Sequence, residues 1–310
     1  MSLPKDAEMS TRATHTYTLC GWRTLSDIPL TSIPSSVRGD TIDVRIRIAD
    51  GVSRCGPYAD LVVFEHSRHC SVVGIRDVAD FEVREGREIL VWPAHGAAQK
   101  DIEIVLFGLA WGTMCHQRGI LPLHASAVMS PAGITAFAGH RGAGKSTTAA
   151  LVGSLGFNLI ADDILPVSFD QDAVPGAWPY LRRHKLRSDS VADLALTPTE
   201  TVGETLDQGR CFVRPERFAE DRWSRIDQII ALDIDPNISN ARIDLIKGAE
   251  AVRTLIDHTY HFAYVLRSEG FREHLALCAQ LASKVPVYRL RRPPSSGIQS
   301  EVKALIYAQL

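Results

Sequence analysis

The run Gly139-His140-Arg141-Gly142-Ala143-Gly144-Lys145-Ser146 has the spacing Gly, four residues, Gly, Lys, Ser that defines a phosphate-binding loop. Such a loop works only between a strand and a helix, so it constrains the fold more than any other stretch. The flanks comply: Ile134 to Ala138 is apolar and strand-like, and Thr147 to Leu155 reads as a helix of small and apolar residues. The glycines let the backbone curl until successive N–H groups point inward, and the following helix presents its positive end. Lys145 is placed to bridge the outer phosphates and Ser146 to ligate Mg²⁺. The bland alternative is a glycine-rich turn that binds nothing.

A chain of 310 residues, 45% hydrophobic and 23% charged, can bury a sizeable core in one large domain or two. A formal net charge of -2 gives no global attraction to nucleic acid or to an anionic membrane, so neither is expected as a partner. Cys20, Cys55, Cys70, Cys115, Cys211 and Cys278 show no paired metal or redox spacing, and reduced thiols in the cytoplasm are the expectation. No apolar run reaches bilayer-spanning length, and the first residues lack a signal-peptide core. Residues 1–13 read as a polar, disordered leader.

Tyr17 to Pro93 is strand-like. It alternates in Ile42-Asp43-Val44-Arg45-Ile46-Arg47-Ile48, is compactly apolar at Leu61-Val62-Val63-Phe64, and predicts a hairpin over 81–91 about a Glu85-Gly86 turn. His66, His69 and Cys70 lack a second cluster at ligand spacing and read as loop residues. Asp101 to Arg118 then shifts to helical period, with Phe107 and Trp111 as packing residues and Gly119 as the stop. The organisation predicted is a smaller β-rich N-terminal domain with a linking helix over 14–118, followed by a phosphate-loop α/β domain over 119–310.

Within that second part, Leu121 to Val128 predicts a strand that hairpins through Pro131-Ala132-Gly133 onto the loop's own strand, setting His124 opposite Gly139. A histidine there is either a proton donor or acceptor beside a transferring phosphoryl group or a satisfied core residue. Phe157 to Ala161 predicts a parallel strand whose end brings Asp162 and Asp163 beside the loop. One of this pair can hold Mg²⁺ while the other accepts a hydroxyl proton, or the two can cap a turn. Asp233, after an apolar run, competes as the acidic metal partner but reads better as a turn residue. Arg182, Arg183, His184, Lys185 and Arg187 form a basic run, either phosphate-screening or a solvated face. Arg210 and Arg214 bracket an apolar pair, and one of them is placed to steady the γ-phosphate. Helices are predicted over 249–258, 271–284 and 298–310, with a strand over 285–290 between the last two.

"LPLHASAV", "GHRGAGKS" and "LIADD", in this order and spacing, resemble the bacterial HPr kinase/phosphorylase family. That phosphate-loop fold is related to ATP-dependent phosphoenolpyruvate carboxykinase. The resemblance implies an ATP- and Mg²⁺-dependent kinase acting on a serine hydroxyl of a protein or peptide. It implies Asp162 as the base, His124 as its partner and Lys145 as a catalytic cation. Gly139, His140, Arg141, Gly142, Ala143, Gly144, Lys145, Ser146, Thr147 and Arg210 would bind the nucleotide, with Ser146 and Asp163 at the metal. "GRCFVRPERF" and "VPVYRLRRPP" are similar to segments of kinase homologues encoded beside lasso-peptide genes, which implies the C-terminal serine of a precursor peptide as acceptor. The Gly-rich, Arg-containing signature that accompanies reversal in HPr kinases has no convincing copy here, which argues against phosphorolysis. HPr kinases are oligomeric, so a homo-oligomer stays open, as do a nucleotide-binding regulatory module and a small-molecule alcohol kinase.

Overall fold

The computed structural model describes residues 14–36, 41–51, 61–67, 69–203, 206, 209–267, 270–294 and 299–310. The described residues form a mixed α/β fold with three sheets.

The first sheet holds β1 (His15–Leu19), β2 (Trp22–Ser26), β3 (Val44–Ile48), β4 (Leu61–His66), β5 (Cys70–Ile75), β6 (Ala79–Arg84) and β7 (Glu88–Pro93), in the order β1-β2-β3-β7-β6-β5-β4. Val44 and Ile46 are buried while Arg45 and Arg47 face out, so the alternation in the sequence is the pleat itself. The β6–β7 hairpin turns through Glu85 and Gly86, both at positive φ (51° and 60°), the mirror-image turn that matches strand twist.

One helical stretch follows, made of α1 (Gln99–Val105), a π-helical segment Leu106–Ala110 and α2 (Trp111–Gln117). A π segment admits one extra residue per turn and commonly marks a packing accommodation. Here Gly108 and Gly112 lie against Tyr260: a Cβ on Gly112 would come within 2.9 Å of its ring. Trp111, fully buried, meets the rings of Trp22, Phe107 and Tyr180. Ile46, Phe81, Leu106, Trp111, Met114, Leu123, Ile160 and Ile229 belong to one continuous apolar cluster that joins the first sheet to the second.

The second sheet contains β8 (Leu121–Leu123), β9 (Ala125–Ser130), β10 (Gly133–Gly139), β11 (Asn158–Ala161), β12 (Leu165–Phe169), β13 (Pro175–Ala177), β17 (Ser224–Ile234), β18 (Arg242–Ile246) and β19 (Val287–Arg292). β17 runs parallel to β10 on one side and to β19 along its far half, with β13 on its first residues. The strand predicted over 121–128 is broken at His124: β8 pairs with β12, β9 with β10, and the His124 N–H donates instead to the His258 carbonyl at 2.8 Å. β11 is not β10's neighbour, because β9 already fills that edge. β11 still runs in β10's direction, so both strands end at the same edge of the sheet.

The remaining elements pack around this sheet. α3 (Lys145–Gly153) and α8 (Gln299–Tyr307) share a second apolar cluster with Phe137, Val152, Leu232, Val302 and Ile306. A third sheet of β14 (His184–Arg187), β15 (Glu200–Thr201) and β16 (Arg210–Val213), together with α4 (Ser188–Asp193), closes the other side of α3 through Ala150, Leu186 and Val191. α5 (Gly248–Asp257), α6 (Phe262–Arg267) and α7 (Phe271–Lys284) complete the chain. None of these helices, among the described residues, is long and apolar enough to cross a membrane.

Replacing Gly112 with Ala drives a methyl group into the Tyr260 ring, a case of overpacking that should lower the unfolding free energy by about 1–3 kcal/mol. Urea denaturation with an unchanged slope is the measurement.

Candidate functional site

Strand β10 delivers its last residue, Gly139, to a loop where Gly139, Gly142 and Gly144 all have positive φ (157°, 89° and 99°). The reasons differ. A Cβ on Gly139 would lie 2.9 Å from the Leu232 carbonyl oxygen, whereas nothing surrounds Gly142, where conformation alone demands glycine. Gly144 is the N-cap of α3 and supplies no side-chain cap, so the first N–H groups of the helix remain available to an anion.

Lys145 folds back over this loop, its ammonium donating to the carbonyls of Gly139 (2.9 Å) and His140 (3.2 Å). Burial, countered by Asp163 and Asp162, pushes its pKa down to about 8, because an ammonium that has lost its hydration is held only by these partners.

The two acidic residues after β11 part company. Asp163 has φ 76°, and this left-handed turn sends adjacent carboxylates in different directions. Asp162 is 4% exposed. Its Oδ1 accepts from the Ser126 hydroxyl at 2.5 Å and its Oδ2 from the Lys185 backbone N–H at 2.6 Å. Asp163 turns into the cleft before the phosphate loop, with Oδ2 2.8 Å from Lys185 Nζ and Oδ1 3.5 Å from His124 Nε2. Burial alone would raise its carboxyl pKa, but Lys185 and then His124 drive it well below the usual carboxylate range. His124 is steadied by an edge-on contact with Tyr260, ring centroids 5.8 Å apart.

The cleft has a volume of about 370 Å³. His124, Asp163 and Lys185 line it together with Arg141, Gly142, Gly144, Lys145, Ser146 and Thr147 of the loop, and with Arg210 and Arg292. Six lysine and arginine side chains line it against three aspartates, so its charge suits a polyanion. Of the residues expected here, Gly139 and His140 contribute carbonyls to Lys145 rather than cleft surface. His140 instead packs edge-on to His258, 4.9 Å between centroids, and burial with nearby His140 lowers His258 to about 4. Ala143 turns its side chain into the core and its carbonyl to Arg292.

Asp162 does not line this cleft; it lines a smaller adjoining pocket together with Asp163, Arg183 and Lys185, and the half-buried Asp163 is the more accessible member of the pair. Asp233 lies within β17, pairs in register with Arg291 and is exposed outside the cleft. The basic run is not a uniform solvated face: Arg182 stacks on Phe218, Arg183 on Phe212, His184 is buried, and Lys185 reaches Asp163. Among the described residues no group of three or more His, Cys, Asp or Glu could hold a metal. The expected loop near His69 and Cys70 is only partly described: His69 pairs with Glu85 at 2.9 Å, and Cys55 and residues 1–13 lie outside the described residues.

Sequence reasoning missed Ser126 and Arg292 and left Lys185 unassigned. One signal existed, because His124 and Ser126 are two apart on an extended chain and so share a face. Arg292 reaches the loop from nearly 150 residues away (3.3 Å to the Ala143 carbonyl, |i−j| 149), a contact no local pattern announces.

No family model matches the chain, and no curated protein matches it. Among solved structures it is similar to the HPr(Ser) kinase/phosphatase from Coxiella burnetii, at 11% identity over 61% of this chain and 95% of that one, with a TM-score of 0.29. A likeness this loose carries neither site nor activity.

Asp162→Ala strands the Ser126 hydroxyl and the Lys185 N–H in the interior, so a stability loss of about 1–3 kcal/mol is expected. Asp163→Ala should cost less, and thermal denaturation of the two variants side by side checks the ranking.

Proposed function

We propose that the chain is an ATP-dependent kinase that transfers the γ-phosphoryl group to a serine hydroxyl of a protein or peptide. The observation that carries this reading is that Asp163, His124 and Lys185 share one cleft with the phosphate loop and Lys145. A module that only binds nucleotide has no need of a carboxylate and an imidazole at the phosphate end of its site.

In this reading the loop N–H groups and the start of α3 orient the phosphates, and Lys145 leaves the Gly139 and His140 carbonyls for the β- and γ-oxygens. Lys185 is drawn from Asp163 toward the incoming anion, so the proton affinity of the carboxylate rises from its depressed resting value. The serine oxygen attacks the γ-phosphorus in line, the bond to the β-bridging oxygen breaks, and the serine proton passes to Asp163, which His124 orients. ADP leaves. Asp162 acts through position alone, fixing β14 and thereby Lys185. Arg210 borders the same cleft and steadies charge on the transferring group.

The Ser146 hydroxyl, which lines the cleft, fits Mg²⁺, a hard cation that prefers oxygen donors. When bound, it would neutralise phosphate charge. Residues 119–310 would form the catalytic domain of this HPr-kinase-like reading and residues 14–118 its smaller β-rich partner. The C-terminal serine of a lasso-peptide precursor is the acceptor most in keeping with the sequence resemblance.

Incubation with γ-labelled ATP and candidate peptides, followed by mass mapping, tests the activity. Lys145→Ala should abolish transfer. Asp163→Asn should keep nucleotide affinity within a few-fold while lowering kcat by about 10²–10⁴; undiminished turnover would remove Asp163 as the proton acceptor. Nucleotide affinity should also fall as the pH rises through about 8. Lys145 is cationic below that value and neutral above it, and bound phosphate favours the cation. Calorimetry in buffers of different ionisation enthalpy should therefore show proton uptake on binding near pH 8.

A further inference from the structure

Asp163 and Lys185 line a second cavity besides the cleft, a pocket of about 30 Å³ that no residue of the phosphate loop touches. Phe107 and Gly108 of the π-helical segment, Phe212 of β16 and Arg183 are among its other walls. A space of that size takes one or two water-sized groups, so it admits the CH₂OH end of a side chain and excludes an aromatic ring. Arg183 is half-buried, its Cζ 3.7 Å from the centre of the Phe212 ring. Its Nη1 donates to the Ser32 hydroxyl at 2.5 Å, and that hydroxyl donates in turn to Glu103, itself 1% exposed. Among the described residues Arg183 has no direct ion pair, since Glu103 reaches it only through Ser32. Burial lowers the pKa of this guanidinium, and Glu103, the largest opposing influence, restores only part of the loss.

We infer that this pocket receives the acceptor's hydroxyl, and that Arg183 selects acceptors carrying a carboxylate beside that hydroxyl, at a chain end or on an adjacent acidic side chain. The inference rests on the kinase reading above and narrows the substrate class of the same site. Asp163 belongs to both cavities, so a phosphoryl group in the cleft and a hydroxyl in the pocket reach one carboxylate from separate chambers. Of the charges in the pocket, Lys185 is already paired with Asp163, and both Asp162 oxygens are taken. Arg183 is the charge left over. Only one of the five N–H donors of its guanidinium goes to Ser32, and a planar fork of this kind grips a carboxylate through paired N–H groups. The Phe212 ring and the Ser32–Glu103 relay hold the fork in place. Ser32, Glu103, Phe107 and Gly108 all precede residue 119, so the N-terminal part of the chain takes a share in choosing the acceptor.

The test is steady-state phosphorylation by the full chain, with Mg²⁺ and γ-labelled ATP, of two matched pairs of peptides. The first pair is N-acetyl-Gly-Gly-Ser as the free acid and as the amide; the second is N-acetyl-Gly-Ser-Glu-amide and its Gln counterpart. Loss of the carboxylate should lower kcat/KM by about 10–100-fold, and the pair that shows the drop identifies whether a chain end or a side chain supplies it. Arg183→Gln should bring that pair level by raising KM for the acidic member, while KM for ATP stays within a few-fold, which also reports that the variant is folded. Arg183→Lys, which keeps the charge without the fork, should retain part of the preference, and it carries the test where the Gln variant does not fold. If the wild type treats both pairs alike, or Arg183→Gln leaves the preference in place, the acceptor assignment is wrong and the kinase reading stands. If no serine peptide is phosphorylated, both are overturned.

Discussion

A carboxylate enclosed by protein has to fill its lone pairs from its surroundings, and Asp162 does so with the Ser126 hydroxyl of β9 and the N–H of Lys185 on β14. This contact ties the nine-stranded sheet to the small sheet that flanks α3. It also uses Lys185 at both ends, since the backbone of that residue satisfies Asp162 while its ammonium, 2.8 Å from Asp163 Oδ2, satisfies the neighbour. The interior contact thus sets the position of the cation that controls the exterior one. Removal of either partner would leave a desolvated charge, the costliest defect a fold of this kind can carry.

The edge of the sheet gathers the rest. β10 ends at Gly139 and β11 ends just before Asp162, and both run the same way although β9 separates them. The chain reaches that edge a third time at His124, where strand pairing switches from β12 to β10 and the residue between is released from both ladders. A side chain at such a switch is free of sheet register, yet His124 is held by its N–H to His258 and by its contact with Tyr260. The result is an imidazole with a fixed approach to Asp163 and open access to the cleft.

The strand, glycine-rich loop and helix over residues 133–153, the β6–β7 hairpin and the helical stretch before β8 were legible because each is encoded within a dozen residues by spacing, glycine placement or period. The different burial of the two neighbouring aspartates was not. It depends on the left-handed turn at Asp163 and on a strand partner, β14, that enters only after 20 further residues (|i−j| 23 for Lys185 on Asp162). A strand, loop, helix, strand pattern suggests direct parallel neighbours, but the hairpin strand before the loop had already taken that place. Arg292 and the α8 wall of the cleft were invisible for the same reason, as nothing local links β19 to a loop so far upstream.

β17 is an eleven-residue strand lodged between β10 and β19, and its Gln228 meets Thr135 across 93 residues of chain. Neither flanking strand can find it until a long stretch of polypeptide has been made and brought round. Loop closure over such a span is paid for in entropy before any contact returns it, so the middle of this sheet is late to assemble. During synthesis the apolar run Ile229-Ile230-Ala231-Leu232 therefore waits beside a finished β10 edge for its last neighbour, and that interval is when the nascent chain is most exposed to pairing with the wrong one.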